Sequence, residues 1–362
     1  MTATRSGVLT SNKAFRPLPG GPPCPMRSLI LIDSYAQIFR GYFAVRVLTS
    51  HDGTPTNAVF AMAKFLLKLH ADYPVDAFDG AFVFDLGKPA HRLELAPDYK
   101  ANRPPAPPDL NAQVPIIRDL IRAFGWPLFE QQAWEADDLI SALANAFSER
   151  EIRIISADKD LAQLINGRVA MLVPSRAGTG FELRDEAAVL EKFGVPPSGI
   201  IDYLALVGDS ADNIPGIEGV GPKTAAKLIS ECGSIDAILA NPASVANENL
   251  RRKLVDGAEH LRKNQALVRL LREPPAGACW SDAMLERTAP DFRRIRELAA
   301  KLDLSSVIRD LDKIAPESAF EDTCDDPDDL FAVAKPAKTE DAPAEEKAPE
   351  EKPASDQMEF DF

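Results

Sequence analysis

The segment LILID, residues 29–33, is a short apolar run that ends in an aspartate. Similar runs occupy Ala81–Phe84, Ile152–Ile155 and Val169–Val173. Stretches with helical periodicity lie between them, at Thr56–His70, Leu110–Phe124 and Ala136–Phe147. Short apolar runs that alternate with amphipathic helices predict an α/β domain with a mostly parallel sheet flanked by helices. We place this domain at residues 27–199.

The second part of the chain has a helical pattern throughout, which predicts an all-helical domain at residues 200–312. Its predicted helices are Ile200–Val207, Lys223–Ser230, Ser234–Leu239, Leu250–Leu271 and Arg293–Leu302. Residues 1–26 contain five prolines in their first 25 positions, and residues 313–362 are rich in Pro, Ala, Glu and Lys. Both composition patterns predict disorder. Translation from Met1 or from Met26 is left open.

The formal charge of −14 is concentrated at the end of the 362-residue chain. Residues 317–362 hold 16 acidic residues and four lysines, so residues 1–316 hold 37 basic and 39 acidic residues. No apolar run approaches 18 residues, and no secretory signal pattern is present, so we expect no membrane-spanning helix. The four cysteines lie far apart, which argues against disulfides and zinc and favours a reducing, cytoplasmic setting.

Aspartates follow three of the predicted strands. Asp33 and Asp85 each come directly after a strand, and Asp158 and Asp160 follow a third. Ligands of open α/β sheets bind beyond the carboxyl ends of the strands, so these side chains are predicted to meet at one edge. Five further acids belong to a helix start and to a turn flanked by glycine and proline: Glu135, Asp137, Asp138, Asp209 and Asp212.

Each of these nine acids has a structural interpretation, as a helix cap, a turn residue or a partner of the helix dipole. Their convergence is harder to explain structurally, because mutual repulsion would destabilise the fold. Divalent cations relieve such repulsion, and oxygen ligands without His or Cys favour Mg²⁺, or Mn²⁺. Without these nine acids, residues 1–316 hold 37 basic and 30 acidic residues. An acidic metal site in basic surroundings suits phosphodiester cleavage.

Two other segments are functional candidates. The loop GIEGVGPKTAA, residues 216–226, differs from a nucleotide-binding P-loop because Pro222 separates Gly221 from Lys223. It is predicted either to grip a DNA phosphate at a helix N-terminus or to be a plain helix-loop-helix turn. Residues 86–108 form a long, proline-rich insertion with basic residues, which we call the arch segment. We expect it to be irregular, functional and mobile without DNA.

The chain resembles the 5′-nuclease (flap endonuclease) family, and most closely the 5′→3′ exonuclease domain of bacterial DNA polymerase I. The resemblance covers residues 26–311 and implies a PIN-like nuclease core followed by a helix-hairpin-helix variant. The motifs that carry it are LILID (29–33), FD (84–85), YKANRP (99–104), WEADDLI (134–140), SADKDLAQL (156–164), GDSADNIPG (208–216) and GVGPKTA (219–225).

The resemblance implies roles for individual residues. The metal-site acids of the family correspond to Asp33, Asp85, Glu135, Asp137, Asp138, Asp158, Asp160, Asp209 and Asp212. Lys100 and Arg103 correspond to residues that steer and polarise the scissile phosphate. Contacts to DNA are implied for Tyr99, Gly219, Gly221, Lys223, Thr224 and Lys227. The glycine-rich loop is implied to hold a K⁺ ion through backbone carbonyls.

The implied activity is metal-dependent hydrolysis of DNA at 5′ ends, flaps, nicks and gaps, including RNA primers on DNA, in replication and repair. The implied setting is the bacterial cytoplasm, with the nucleoid, and the protein is expected to be a free-standing nuclease. Two alternatives stay open: a PIN-like metal-dependent ribonuclease, and a DNA-junction binding protein with an inactive site. The glycine-rich loop argues against the first, and the complete acidic set argues against the second.

The last six residues, QMEFDF, resemble the hexapeptide Q-L-x-L-x-F by which bacterial proteins bind the replication sliding clamp. Gln357, Met358, Phe360 and Phe362 would be the contact residues. The other interpretation is a solvated tail whose last residues have no partner.

Overall fold

A computed structural model describes residues 27–175 and 180–320. Six strands form one sheet in the order β3-β2-β1-β4-β5-β6, and only β6 is antiparallel to its neighbour. The strands are β1 (Ser28–Asp33), β2 (Phe78–Phe84), β3 (Leu128–Glu130), β4 (Ile152–Ile155), β5 (Val169–Pro174) and β6 (Phe181–Arg184). The predicted mostly parallel sheet is confirmed. The pattern predicts neither β3 (LFE) nor β6 (FELR), because neither is a continuous apolar run of four residues and both are too short to show alternation.

Six helices flank this sheet: α1 (Ser34–Ala44), α2 (Asn57–Asp72), α3 (Ala90–Leu95), α4 (Pro108–Ala123), α5 (Ala136–Ala146) and α6 (Glu186–Phe193). The strand β1 is buried on both faces, as a central parallel strand should be. Leu29 and Leu31 pack into the core on one face, which includes α5. Ile30 and Ile32 pack into the core on the other face, with α2 and α4.

The helical part begins with α7 (Ile200–Val207), followed by a two-stranded hairpin of β7 (Gly208–Asp209) and β8 (Ile214–Pro215). Four helices follow: α8 (Pro222–Cys232), α9 (Ile235–Ala240), α10 (Glu248–Asp256) and α11 (Ala258–Val268). The prediction of one helix over 250–271 is wrong, because Gly257 separates α10 from α11. A Cβ at Gly257 would lie 3.0 Å from the Ile217 side chain, so the glycine allows the glycine-rich loop, which carries Ile217, to approach.

The last two helices, α12 (Phe292–Lys301) and α13 (Ser305–Leu311), pack against α4 and α2. Ile295 and Val307 belong to the same apolar core as the sheet face beneath them. The Nζ of Lys64 in α2 donates to the Ser306 carbonyl at 2.9 Å. The predicted helical domain therefore extends too far, because residues 292–311 return to the α/β domain. The amphipathic pattern of these helices does not indicate which surface they cover.

The arch segment is more ordered than its prolines suggest. It contains α3, and the side chains of Arg92, Ala96 and Tyr99 are buried. Near its end, the Lys100 N–H and the Asn102 side chain donate to carbonyls of the β7–β8 turn, at 3.1 and 2.6 Å. The prediction of an irregular segment is wrong for Ala90–Leu95, which form α3, and the argument that the segment offers little to a core is wrong as well.

Among the described residues, no helix combines the length and the apolar character needed to cross a membrane. The predicted disordered segment 1–26 lies outside the described residues, and so do residues 321–362 of the predicted tail, with the hexapeptide at 357–362. The predicted disorder at 313–320 is wrong, because Glu317–Phe320 form a 3₁₀ turn and Phe320 packs against the apolar core beside α12.

Candidate active site

The carboxyl ends of the central strands bring most of the predicted acids together. Asp33 is the last residue of β1, Asp85 follows β2, and Asp158 lies beyond the end of β4. The start of α5 adds Glu135 and Asp137, and the β7–β8 turn adds Asp212. These side chains influence one another electrostatically, so the predicted convergence at one sheet edge is present in the structure.

Short polar contacts hold the first of these acids in place. One Asp33 oxygen caps α1 by accepting the Ala36 N–H at 3.1 Å, and the other accepts the Ser156 hydroxyl at 2.8 Å. Asp85 accepts the Ala136 N–H at 2.9 Å, at the N-terminus of α5. The end of β2 is therefore joined directly to the helix that carries Glu135 and Asp137.

Five acids lack sufficient positive charge around them. Burial, with Asp85 and Asp158 nearby, raises the pKa of Asp33 to about 7. Burial and the neighbouring carboxylates also raise the pKa of the other four, which are Asp85, Asp137, Asp158 and Asp160. When they are ionised together, these groups repel one another, and this repulsion destabilises the folded state.

Two other acids are neutralised by the arch segment. Lys100 pairs with Glu135, and Arg103 pairs with Asp212. Burial alone would raise the pKa of both carboxyl groups, but the pKa of each is lowered because Lys100, with Arg92 or Arg103, outweighs burial. The Tyr99 hydroxyl donates to Asp212 at 3.0 Å. The predicted phosphate-steering residues therefore lie on the acids in this DNA-free structure.

Asp138 lies apart from the five acids. It is fully buried, and Arg92 pairs with it through two guanidinium nitrogens. The Leu271 N–H donates to the same carboxylate at 2.9 Å. Successive helix residues point about 100° apart, so Asp137 and Asp138 cannot both face the sheet edge. The structure thus gives Asp138 a place in an ion pair with Arg92, which also pairs with Glu135, and not among the five acids with raised pKa.

Asp209 has a cation of its own, because Lys159 Nζ lies 2.9 Å from its carboxylate. Its other oxygen accepts the Ala211 N–H at 2.9 Å and so shapes the β7–β8 turn. Asp209 nevertheless lies near enough to help raise the pKa of Asp160. Burial, Asp158 and Asp212 each raise that pKa more than Asp209 does.

The donor set fits a divalent cation. One carboxylate oxygen of Asp160 is buried without a hydrogen-bond partner in the described part of the chain. The five acids with raised pKa offer only oxygen ligands, as Mg²⁺ and Mn²⁺ prefer. Within residues 27–175 and 180–320, no three His, Cys, Asp or Glu side chains are yet arranged to hold an ion. Ion binding would therefore need these side chains to rotate toward the cation, whose charge offsets the repulsion among the acids.

The free energy of unfolding of the metal-free protein should fall as the pH rises from about 4 to about 7. A raised pKa in the folded state means that folding retains protons which the unfolded chain has lost, so stability decreases over this range. His70 and His91 act in the opposite direction, because burial lowers the pKa of each. Urea unfolding in EDTA at pH 5, 6 and 7 measures the net slope.

Asp33→Asn is the matched comparison, because it retains the helix cap and removes the titrating group while both histidines stay. We expect a smaller loss of stability with pH in this variant than in the wild type. Identical slopes for the two proteins would contradict the raised pKa of Asp33.

Several contributors are not among the residues predicted for the site. Arg92 neutralises Asp138 and Glu135, and Ser156 bonds Asp33. Arg92 is the third residue of α3, in a segment that the sequence predicts to be irregular. Only its positive charge within a long insertion could have suggested a role in the site. Ser156 lies two residues before Asp158 in SADKD, where it reads as an ordinary turn residue.

The glycine-rich loop precedes α8, which has Gly221 at its N-cap and Pro222 in its first turn. Gly219 has a φ of +84°, a conformation that favours glycine. A Cβ at Gly221 would meet nothing within 4 Å, so this backbone is open to approach. Lys223 and Lys227 are exposed on the same helix, and Thr224 is partly exposed.

Two family models match consecutive parts of the chain. Residues 28–194 match the model described as 5′-3′ exonuclease, N-terminal resolvase-like domain, and residues 195–291 match 5′-3′ exonuclease, C-terminal SAM fold. A 5′-3′ exonuclease from Aquifex aeolicus is 36% identical over 295 residues, which are 80% of this chain and 96% of that protein. The chain belongs to the 5′-3′ exonuclease family.

Two further comparisons place this 5′-3′ exonuclease among its relatives. The thermostable DNA polymerase I of Thermus thermophilus is 34% identical over 301 residues, which cover 82% of this chain but only 35% of the polymerase. A bacteriophage T5 flap endonuclease, solved with DNA and metal ions, is 20% identical and covers 79% of this chain and 97% of its own, with a TM-score of 0.54. At that identity the likeness shows the fold. The family resemblance and the predicted fold class are both confirmed.

Proposed function

We propose that this 5′-3′ exonuclease family protein is a Mg²⁺-dependent, structure-specific nuclease that hydrolyses DNA at 5′ ends, flaps, nicks and gaps. The observation that carries the proposal is the group of five acids with raised pKa, which lie at the carboxyl ends of β1, β2 and β4 and at the start of α5. The oxygen-only donor set supports Mg²⁺, with Mn²⁺ as a substitute.

Asp33, Asp85, Asp137, Asp158 and Asp160 are the residues that would hold the metal, with Glu135, Asp209 and Asp212 at the border of the site. Divalent cations in such a site supply a nucleophile near neutral pH and stabilise charge on the leaving oxygen. Because Asp138 is already paired with Arg92, we give it a supporting role, contrary to the resemblance.

The arch segment would place positive charge on the scissile phosphate. Lys100 and Arg103 are held beside Glu135 and Asp212 without DNA, and a phosphodiester offers the same groups a competing anion. Once on the phosphate, the Lys100 ammonium would neutralise charge that develops there during cleavage. Tyr99 stays buried beside both acids and fixes the base of this segment.

The glycine-rich loop would grip the duplex. The exposed backbone around Gly219 and Gly221, the N-terminus of α8, and Lys223, Thr224 and Lys227 together favour a phosphate contact. The resemblance further implies a K⁺ ion on the carbonyls of this loop. Duplex affinity measured in equal concentrations of K⁺ and Na⁺ tests it, and equal affinities would remove the ion from the proposal.

Lys223→Ala should lower the salt dependence of duplex binding, with a log–log slope reduced by about one unit, because one phosphate contact is lost. Lys301→Ala is the matched control, since Lys301 is an exposed helical lysine on α12, away from the loop. Anisotropy titrations across a range of salt concentrations measure both slopes. An unchanged slope for Lys223→Ala would show that this loop is not on the DNA.

The direct test of the proposed function uses the full chain with an end-labelled double-flap DNA, a single strand and an RNA–DNA hybrid. We expect cleavage of the flap in Mg²⁺, and none in EDTA. Cleavage of the RNA in the hybrid without cleavage of the flap would favour the ribonuclease alternative. Tight junction binding without cleavage in Mg²⁺ or Mn²⁺ would favour the inactive alternative.

We further propose a role in primer removal and DNA repair in the bacterial cytoplasm, with the nucleoid. The bacterial relatives and the proposed DNA substrates support this assignment. Persistence of RNA-primed fragments in cells depleted of the protein is the expected result. Normal fragment joining in such cells would contradict it.

We also propose that Gln357, Met358, Phe360 and Phe362 bind the replication sliding clamp. The support is the alternation of glutamine, aliphatic and aromatic residues, which stands out in a segment of mostly polar composition. Full-length protein should bind the purified clamp, and a chain truncated after Ser355 should not. Equal affinities, or no binding by either, would remove this partner.

A further inference from the structure

Residues 267–271, which we call the clasp, are bonded to three elements of the candidate active site. The Leu267 carbonyl accepts Arg92 Nε at 2.9 Å, and the Val268 carbonyl accepts Gln163 Nε2 at 2.9 Å. The Leu270 N–H donates to Gln163 Oε1 at 3.1 Å, and the Leu271 N–H donates to Asp138 at 2.9 Å. The clasp thus touches the arch segment, the start of α5 and the turn after β4.

Gln163 is the centre of this arrangement. Its side chain is 7% exposed, and both ends of its amide bond the clasp. The same Nε2 donates to the Asp160 carbonyl at 2.9 Å. One glutamine therefore joins the clasp to the backbone of an acid with a buried carboxylate oxygen that has no hydrogen-bond partner among the described residues.

The clasp continues α11, which also holds the β7–β8 hairpin. Asn264, one turn earlier, is buried and donates to the Ala205 carbonyl at 3.0 Å and the Pro215 carbonyl at 2.8 Å. The side chains of Leu267, Val268 and Leu270 are buried as well. Through α11 and the clasp, the helical part of the chain is fixed to the β7–β8 hairpin, to the start of α5 and to the turn after β4.

We propose that Gln163 is a positioning residue which sets where the DNA is cut, by fixing the helical part of the chain against the carboxylates. The inference rests on the proposed function, in which the helical part grips the duplex. Successive phosphates on one strand are about 3.4 Å apart along the duplex axis, so a small displacement of the duplex changes which phosphate meets the acids. Even a 1 Å misplacement can cost about a hundredfold in rate.

The experiment compares wild type and Gln163→Met on an end-labelled double-flap DNA under single-turnover conditions in Mg²⁺. Methionine has a similar length and packs in the same space but makes none of the three hydrogen bonds. We expect products at neighbouring positions to rise about threefold and the rate at the main position to fall about tenfold, because the phosphate is misplaced. Duplex affinity in Ca²⁺ should stay within about twofold, since the gripping surface is unaltered.

Gln265→Met is the matched control. Gln265 lies on α11 and donates to Asp202 within the helical part at 2.6 Å, so it does not touch the clasp partners. It should retain the wild-type product positions. If Gln163→Met does not fold, Gln163→Leu serves instead, because it also packs as an apolar side chain and makes none of the three hydrogen bonds.

The outcomes separate this inference from the proposed function. Absence of cleavage by the wild type would overturn the proposed function itself. Wild-type cleavage with an unchanged product distribution in the Gln163 variant would overturn the role of the clasp. So would an equal broadening in Gln265→Met, or a rate loss accounted for by the fraction of unfolded protein.

Discussion

Asp137→Asn is expected to lower DNA cleavage by at least about a thousandfold, because losing several kcal/mol of metal-dependent stabilisation corresponds to roughly three powers of ten. Asp137 stands at the start of α5 and faces Asp33 and Asp158, and burial together with these two acids raises the pKa of its carboxyl group well above the usual value. Single-turnover cleavage of a double-flap DNA in Mg²⁺ gives the measurement.

DNA binding by Asp137→Asn should be unchanged or tighter, since the substitution removes a negative charge that repels phosphate. Asp119→Asn is the matched control, because Asp119 is exposed on α4 and pairs only with Arg122 among the described residues. That variant should cleave at the wild-type rate. Wild-type-like turnover by Asp137→Asn would remove Asp137 from the metal site.

Arg92→Leu should destabilise the folded protein by about 3–5 kcal/mol, the usual cost of leaving a buried charge without its partner. Arg92 is 3% exposed and Asp138 is fully buried, so water cannot replace the lost cation. The substitution also removes the bond to the Leu267 carbonyl. Urea unfolding at pH 7 measures the free energy of unfolding.

The double variant Arg92→Leu/Asp138→Asn should recover part of this loss, because the uncompensated carboxylate is gone. Arg122→Ala tests an exposed pair on α4 and should cost less than about 1 kcal/mol. Equal stability of the single and double variants would show that Asp138 is not the group that needs Arg92.

The sequence predicts the strand-end acids well, because their position follows a local rule. An aspartate at the carboxyl end of a buried parallel strand lies at the ligand-binding edge of the sheet, as Asp33 and Asp85 do. Asp137 and Asp138 show the limit of such a rule. Both belong to one motif, and helix geometry separates their directions, but the motif does not show that Asp138 is the one that meets Arg92, 46 residues away.

The errors arise where distant segments meet. The arch segment reads as irregular from its prolines, yet Arg92 and Tyr99 are buried by contacts with α5, the clasp and the β7–β8 turn. The helix predicted across Gly257 is interrupted because Ile217 approaches there. Gln163 would pass for an ordinary polar residue, since its partners in the clasp lie more than 100 positions away.

The return of α12 and α13 to the sheet makes the helical part an insertion and not an appendage. Residues 200–291 leave the α/β domain and come back to it, with the Asp291 N–H bonded to the Ala123 carbonyl at 2.7 Å. A single proteolytic nick within this insertion would leave both fragments anchored in one body. By the same topology, any module fused after α13 would be carried by the α/β domain, because α13 packs against α2.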